Sequence, residues 1–220
     1  MAESIPTPAV PRFGLRQQLE FADRAPGPQR VMFEIKYHAA MTEQACPEDP
    51  TIKDNLYVIV AANVATDLDQ FDSALHFDNC AFPPGAQRVA DLWQLIESNS
   101  IEQNPYVLFG TMTHTVQDFY AHSNWVELHA NEEPIPIWDL SVQSLPTQIV
   151  SGTFFLDWPK MCGPGAPTHA ELNKDSPESP EGAKVVNSGP NAGKTLFDLA
   201  FAAALQATKI QFERLREVVG

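Results

Sequence analysis

Basic residues are scarce in this chain. Its 220 residues include 14 Lys and Arg against 28 Asp and Glu, so the formal net charge at pH 7 is −14. Binding to a nucleic-acid backbone requires clustered Lys and Arg, and docking to an anionic membrane by charge alone requires the same residues. We therefore do not expect a nucleic-acid partner, whereas the acidic composition favours attraction of metal cations.

Cysteine is also rare, and long apolar runs are missing. Cys46, Cys80 and Cys162 are widely spaced, and without Cys-x-x-Cys pairs they exclude a zinc-ribbon or iron–sulfur motif. We expect them to be reduced, although one disulfide is possible. No run reaches the roughly 18 apolar residues that span a bilayer, and the first residues lack the basic-then-apolar pattern of a signal peptide. These absences predict a soluble protein of the cytoplasm, or one exported without a recognisable signal peptide.

Helical periodicity dominates what is present. Five prolines within residues 1–29 predict an N-terminal arm with one short helix at 15–24. Residues 30–220 carry apolar residues at helical spacing and no convincing pair of strands, which predicts one all-α domain, a helical bundle. The predicted helices cover 30–46, 51–70, 86–99, 106–129, 138–150 and 194–219.

Two segments with prolines interrupt these helices. A Pro-Pro-Gly sequence at 83–85 predicts a break, and residues 134–190, rich in Pro, Gly, Ser and Asn, predict a long ordered loop before the terminal helix. A polar group within this loop consists of His169, Glu171, Asn173 and Asp175. Such a group is usually a solvated loop, and a calcium site built from oxygen ligands is the alternative.

The segment 106–129 carries the clearest chemical pattern. His114, Asp118 and His122 are spaced by four residues, so they share one face of a helix. Imidazole nitrogens and carboxylate oxygens are ligands of transition metals, and a carboxylate can bridge two ions. The alternative is a polar helix face on which these groups only hydrogen-bond one another. Apolar neighbours such as Phe119 imply a buried helix, and buried ionisable groups need a cation or an equivalent partner. Metal binding is therefore favoured.

Other polar residues lie on flanking segments. His38 lies on the first predicted helix, and alone it would be a hydrogen-bonded core histidine more often than a ligand. Asp67 is four residues after Asn63 and can share its helix face, and His76 and Asp78 lie among apolar residues. None of these residues, taken alone, defines a site.

The central segment HTVQDFYAHSNWVEL resembles the central motif of the Het-C family. This family, named for a fungal heterokaryon-incompatibility protein, is similar to the zinc-dependent phospholipase C and single-strand nuclease superfamily. Further segments resemble Het-C proteins in the same order: YHAAMTEQA, NVATDLDQF, LHFDNCAF, THAELNKDSP and the terminal FDLAFAAALQATKIQFERLR. The resemblance covers about residues 37–216 and implies an all-helical fold around a zinc cluster.

This resemblance implies a ligand set in which Asp118 bridges two zinc ions. The ligands carried over are His38, Asp67, His76, His114, Asp118 and His122. The resemblance also implies catalytic roles for Asp67, His114 and Asp118 in hydrolysis of a phospholipid or another phosphodiester, with toxin-like or incompatibility roles. The rival expectation is a self-recognition module of the same fold that kept its metal and lost turnover. Nothing in the sequence predicts the oligomeric state.

The sequence also departs from the superfamily pattern. Phe197 and Phe201 stand near where the superfamily's terminal helix carries a His and a carboxylate, and His122 follows the bridging carboxylate by four residues rather than six. His129 or His169 could replace the missing ligands if their segments fold inward. We therefore expect one well-occupied zinc ion, although up to three are possible. The ligands expected for this ion are Asp67, His76, His114 and Asp118.

Overall fold

The structure, a computed structural model, describes residues 35–98 and 103–219. The predicted arm at 1–29 and its short helix lie outside these residues. Within the described ranges the chain forms helices and isolated β-bridges but no sheet, so the all-α prediction is confirmed. The α-helices are α1 (Ile35–Ala45), α2 (Pro50–Asp54), α3 (Leu56–Thr66), α4 (Ser73–His76), α5 (Phe82–Glu97), α6 (Pro105–His122), α7 (Trp125–Leu128), α8 (His169–Leu172) and α9 (Leu196–Val219). Short 3-10 helices lie at Asp78–Cys80 and Val142–Ser144.

Helix α6 lies at the centre of the described bundle. It packs against α3, α5 and α9, and almost every residue from Phe109 to His122 is buried. Its start is fixed by Asn104, whose side chain accepts the backbone N–H of Tyr106. Gly110 allows α3 to approach closely, because a Cβ atom there would lie 2.2 Å from the Ile59 carbonyl oxygen. The bundle is therefore arranged around the helix that carries the central motif.

Three predicted helix boundaries are wrong. The central helix ends at His122, because Ser123 takes an extended backbone conformation before α7 begins. The predicted break at 83–85 lies in the first turn of α5, where proline is tolerated because those N–H groups have no helical acceptor. The single helix predicted at 51–70 is two helices, α2 and α3, with Asn55 between them.

The segment between α7 and α9 is a long ordered loop, in agreement with the sequence. The helix predicted at 138–150 is wrong, because Leu140 takes a left-handed conformation (φ 63°) that a helix cannot contain. Backbone hydrogen bonds connect the loop to the end of α6: the Gly152 N–H donates to the His122 carbonyl, and the Lys174 N–H donates to the Ala121 carbonyl. The loop is thus held against the last turn of the central helix.

A disulfide joins Cys80 to Cys162, so the expectation of reduced cysteines is wrong for this pair. Cys46 keeps a free, half-buried thiol. The bonded residues are 82 positions apart in the sequence, and no short-range spacing indicates the pairing. Backbone bonds bring them together, since the N–H groups of Met161 and Cys162 both donate to the Asn79 carbonyl. The disulfide therefore fastens the loop to the turn that follows α4.

The terminal helix α9 packs against α1 and α6. Small residues face this contact, and Ala200, Ala203, Ala204 and Ala207 are all buried. Small side chains allow neighbouring helices to approach one another closely. In the part of the chain that the structure describes, neither α9 nor any other helix is long and apolar enough to cross a membrane.

Candidate metal centre

Five of the six histidines of the chain lie in two buried clusters. The first, the central cluster, consists of His38 on α1, Asp67 after α3, His76 on α4, and His114 and Asp118 on α6. The second, the loop cluster, consists of Asp78, His122, His169 and Asp175. The structure thus brings five of the six predicted ligands together, and the sixth, His122, lies in the loop cluster.

Asp118 lies between the imidazoles of the central cluster. Its Oδ2 atom is 2.8 Å from His76 Nδ1 and 3.0 Å from His114 Nε2. Its Oδ1 atom is 3.2 Å from His38 Nε2. His114 Nε2 also lies 3.3 Å from His76 Nδ1 and 3.6 Å from Asp67 Oδ1. The two oxygens of one carboxylate therefore approach different ring nitrogens, which is the geometry that a bridging role requires.

Hydrogen bonds fix which nitrogen of His38 faces Asp118. The hydroxyls of Thr42 and Thr208 donate to backbone carbonyls of their own helices, so they accept from the amide nitrogen of Gln117. The amide oxygen of Gln117 therefore faces His38 Nδ1, at 2.6 Å, and accepts its proton. His38 Nε2 is then the nitrogen that faces Asp118 and that would bind a metal ion in place of a proton. Support of this kind is usual for imidazoles that bind metals.

His76 is oriented by a strained turn. Its Nε2–H donates to the Asp69 carbonyl at 2.9 Å, so Nδ1 is the nitrogen that faces the central cluster. The turn that follows contains left-handed residues at Phe77, Asn79 and Cys80, with φ of 54°, 53° and 58°. Non-glycine residues rarely adopt this conformation, and it persists where the surrounding structure holds it. The turn directs His76 into one cluster and Asp78, two residues later, into the other.

The electrostatics of the central cluster favour a positive charge at its centre. Burial lowers the pKa of His38, but the Asp118 carboxylate outweighs burial and raises that pKa to about 9. Burial also raises the pKa of Asp118, yet the imidazoles of His114, His122 and His38 hold it well below its usual range. Burial keeps the pKa of His114 below its ordinary value. A buried carboxylate faced by ring nitrogens needs a proton or a metal ion between them.

The buried carboxylate of Asp67 also needs a proton or a metal ion. Both of its carboxylate oxygens are buried, and neither has a hydrogen-bond partner among the described residues. An unsatisfied buried carboxylate is costly, and a cation bound beside His114 would satisfy it. Nitrogen and carboxylate donors together are the ligands of zinc and similar transition metals. The donor set of the central cluster therefore fits the metal that the sequence predicts.

The loop cluster joins the end of α6 to the long loop. Asp78 Oδ1 lies 3.0 Å from His169 Nδ1 and 3.5 Å from His122 Nδ1. On the opposite edges of the rings, Asp175 Oδ1 lies 2.9 Å from His122 Nε2, and Asp175 Oδ2 lies 3.8 Å from His169 Nε2. All four residues are buried. Two imidazoles are thus enclosed by two carboxylates.

The polar loop at 169–175 does not have the geometry of a calcium site. Glu171 is exposed, and its carboxylate accepts hydrogen bonds from the N–H and hydroxyl of Thr168 in a capping box. Asn173 accepts the N–H of Asp175 at 2.7 Å. His169 and Asp175 turn inward to the loop cluster. Calcium takes oxygen ligands, whereas this cluster offers two imidazoles, so the geometry gives the calcium prediction no support.

The other replacement ligand considered from the sequence, His129, lies outside the clusters. His129 is partly exposed and its Nδ1 lies 2.7 Å from Glu132 Oε1. Phe197 and Phe201 pack their rings against Tyr37. Within the described residues, α9 therefore supplies aromatic packing next to the central cluster and no metal ligand.

Sequence reasoning missed the partners of His122. Asp78 had a signal, since it follows His76 by two residues in a buried turn. His169 and Asp175 were noted as part of a polar loop, but nothing linked them to His122, because Asp175 lies 53 residues after His122 and only the folded loop brings them together. Inward folding of His169 was considered from the sequence, but its neighbours were not.

Three sets of buried donors in the described ranges could hold a metal ion: His38 with His114 and Asp118; Asp67 with His76 and His114; and Asp78 with His122 and His169. The first two sets share His114, whose Nε2 atom can serve only one ion. A full ligand set for one ion therefore leaves His38 and one oxygen of Asp118 for a second.

The fold and the site define an all-α protein with buried His and Asp clusters of the kind that bind transition metals. Residues 34–144, half of the chain, match the family described as VWA7 N-terminal domain, and the chain belongs to this family. The matched range contains the whole central cluster together with Asp78 and His122, whereas His169 and Asp175 lie beyond it. No curated protein and no solved structure matches the chain. The Het-C resemblance stays a prediction.

Proposed function

We propose that this protein is a zinc-dependent phosphodiester hydrolase of phospholipase C type, with its reaction centre at the central cluster, in keeping with the Het-C resemblance. One observation carries the proposal: the two oxygens of Asp118 approach different imidazoles, with Oδ2 at His76 and His114 and Oδ1 at His38. A carboxylate shared in this way can hold two ions close together, as in enzymes that stabilise both the attacking and leaving oxygens of a phosphoryl group.

Zinc, when bound, would supply a Lewis acid for the phosphoryl oxygens and lower the pKa of a bound water. The protein's own residues prepare this chemistry. His76, His114 and Asp118 would bind the ion, and Asp118 would also offset its charge. Asp67 would complete the ligand set, and its second oxygen could take the proton of the attacking water, because neither oxygen has a hydrogen-bond partner among the described residues.

Exposed apolar residues beside Asp67 support a lipid as the substrate. Leu68 is 82% exposed and Phe71 is 60% exposed. The Trp158 N–H donates to the Phe71 carbonyl, so the loop residues Phe155 and Trp158 lie next to this segment, and they are 75% and 72% exposed. Exposed apolar residues grouped in this way are typical of interaction surfaces. Acyl chains could lie along them while the phosphodiester approaches the central cluster past Asp67, whose side chain is 5% exposed although its carboxylate oxygens are buried.

The test is hydrolysis of phosphatidylcholine vesicles, and of the soluble diester bis(p-nitrophenyl) phosphate, by zinc-loaded protein. Asp118→Asn should lower both rates by about 100-fold or more, because the charge that holds the ion is lost. The matched control is Asp91→Asn, an exposed carboxylate on α5 that should leave both rates unchanged. Equal rates for the wild type and Asp118→Asn would reject the proposal.

A metal-binding self-recognition module is the second candidate function. It is favoured by the burial of the central cluster, because His38, His76, His114 and Asp118 have no exposed surface. A closed site of this kind suits a structural ion. In that case zinc would raise the thermal unfolding midpoint of the wild type but not of Asp118→Asn, and neither protein would hydrolyse a phosphodiester.

The disulfide bears on where this function would operate. Disulfides are typical of oxidising compartments and are rare in the cytoplasm. The Cys80–Cys162 bond therefore favours the exported alternative over the cytoplasm. An exported phosphodiesterase would also be consistent with the toxin-like or incompatibility role that the Het-C resemblance implies.

A further inference from the structure

His122 faces more acceptors than a neutral imidazole can satisfy. Its Nδ1 lies 3.0 Å from the His76 carbonyl oxygen and 3.5 Å from Asp78 Oδ1, and its Nε2 lies 2.9 Å from Asp175 Oδ1. A neutral imidazole carries one proton, so one of its nitrogens directs a lone pair at oxygen. The two ways to relieve this contact are a second proton and a metal ion.

Asp78 gives an independent reason to prefer the ion. Its Oδ2 atom is fully buried and has no hydrogen-bond partner among the described residues. Its Oδ1 atom is 3.0 Å from His169 Nδ1 and 3.5 Å from His122 Nδ1. Ligands bound to zinc at about 2.0–2.2 Å in a tetrahedron lie about 3.3–3.6 Å from one another. These two distances are close to ligand spacing, donor atoms of all three residues lie within 4.8 Å of one another, and the unsatisfied oxygen is available to the ion.

We propose that Asp78, His122 and His169 bind a second divalent ion of the zinc class, separate from any ion of the central cluster. Three protein ligands leave one coordination position open for water or another ligand. Asp175 is then a positioning residue: it accepts the Nε2–H of His122 and fixes which nitrogen meets the ion, as carboxylates commonly do behind metal-bound histidines. This ion would be additional to the well-occupied ion expected at the central cluster.

Binding at this site must change the tautomer of His169. Asn173 Nδ2 lies 3.2 Å from His169 Nε2, and its amide oxygen is already bonded to the Asp175 N–H. In the ion-free protein, His169 therefore keeps its proton on Nδ1 and donates it to Asp78. For Nδ1 to bind the ion, that proton must move to Nε2, and the Asn173 side chain must then turn so that its amide nitrogen no longer faces Nε2.

The first test counts zinc in the full chain. Protein is stripped with a chelator, reloaded with zinc, freed of loosely held metal and assayed by mass spectrometry. His169→Gln and Asp78→Asn should each carry about one zinc ion fewer than the wild type. The matched control is His129→Gln, which changes a histidine outside both clusters and should keep the wild-type content. Asp175→Asn should keep the site and weaken it by about 10- to 100-fold.

A second measurement uses unaltered protein, in case a variant fails to fold. Crystals of the zinc-loaded wild type, measured at the zinc absorption edge, should show an anomalous peak in contact with Asp78 and with one nitrogen each of His122 and His169. A peak at the central cluster without one here would overturn the proposal. Wild-type zinc content in both His169→Gln and Asp78→Asn would also overturn it. The same holds if Asp175→Asn loses this ion completely while Asp78→Asn keeps it.

This inference does not depend on hydrolysis at the central cluster. Two zinc ions without phosphodiesterase activity would reject the proposed function and leave the loop-cluster ion intact. Phosphodiesterase activity with zinc at the central cluster alone would support the proposed function and reject the loop-cluster ion.

Discussion

The amide oxygen of Gln117 on α6 lies 2.6 Å from Nδ1 of His38 on α1. The same oxygen accepts from Asn63 on α3 at 3.1 Å, and the amide nitrogen donates to Thr208 on α9. One neutral side chain therefore links helices that are distant in the sequence and sets the tautomer of a predicted metal ligand. Gln117 directly precedes Asp118, so this support and the bridging carboxylate project from neighbouring positions of α6.

We predict that Gln117→Leu weakens metal binding without removing a ligand. The change keeps the side chain's approximate volume but leaves His38 Nδ1 without its acceptor, so the ring loses its fixed tautomer and orientation. Loss of such support typically lowers metal affinity by about 10- to 100-fold. Competition with a chromogenic chelator measures the affinity. Gln94→Leu, on the exposed side of α5, is the control and should bind zinc like the wild type; equal affinities for all three proteins would contradict the prediction.

The pKa of His38 predicts how zinc binding depends on pH. In the metal-free protein this pKa is raised to about 9, because the attraction of Asp118 outweighs burial. Protonated His38 therefore stabilises the fold fully below about pH 6.5, its unfolded value, and this contribution is lost as the pH rises through about 9. Zinc competes with the same proton, so its affinity should increase as the pH rises from about 6 to about 9.

His38→Gln should reduce this pH dependence but not abolish it. His76 also has a raised pKa, because the Asp118 contacts outweigh burial, and its proton competes with zinc as well. The measurement is chelator competition at several pH values, with the zinc-induced rise in unfolding midpoint as a second readout. The same slope in wild type and His38→Gln would show that His38 takes no part in binding zinc.

The sequence predicted the central cluster better than it predicted the loop cluster, for a physical reason. His114 and Asp118 lie on one helix, where a spacing of four residues determines a shared face. His38, Asp67 and His76 were assigned by resemblance, and the packing of α1, α3 and α4 on α6 brings them to the same point. The contacts of His122 depend instead on a loop held by backbone hydrogen bonds and a disulfide. Neither can be predicted from periodicity in the sequence.

The helix boundaries show the same limit. Helical periodicity located the buried helices, but their ends depend on single residues. The apolar pattern alone would allow a helix at 138–150, but Leu140 prevents it by taking a left-handed conformation. The same pattern would continue the central helix, but Ser123 ends it by taking an extended conformation. The prolines at the start of α5 do not end a helix, because they lie in its first turn, where proline is tolerated.

Gly110→Ala should destabilise the bundle around the site. A Cβ atom at this position would lie 2.2 Å from the Ile59 carbonyl oxygen and 2.8 Å from Ala62 Cβ, so α3 would have to move away from α6. Overpacking of this kind costs about 1–3 kcal/mol or more. Denaturant unfolding measures the loss. Gly163→Ala is the matched control, because nothing lies within 4 Å of a Cβ atom there; equal destabilisation of both variants would show that the α3–α6 contact is not tight.

Loss of the disulfide should weaken both the fold and metal binding. Cys80 ends the turn that carries His76 and Asp78, and its bond to Cys162 holds the loop against that turn. Removal of a native disulfide typically costs about 2–5 kcal/mol. We therefore expect Cys80→Ser and Cys162→Ser to lower the free energy of unfolding by a similar amount and to reduce zinc affinity. Cys46→Ser, which removes the unpaired thiol, should change neither. Denaturant unfolding with and without dithiothreitol provides the check, because reductant should bring the wild type to the stability of Cys80→Ser and leave Cys80→Ser itself unchanged.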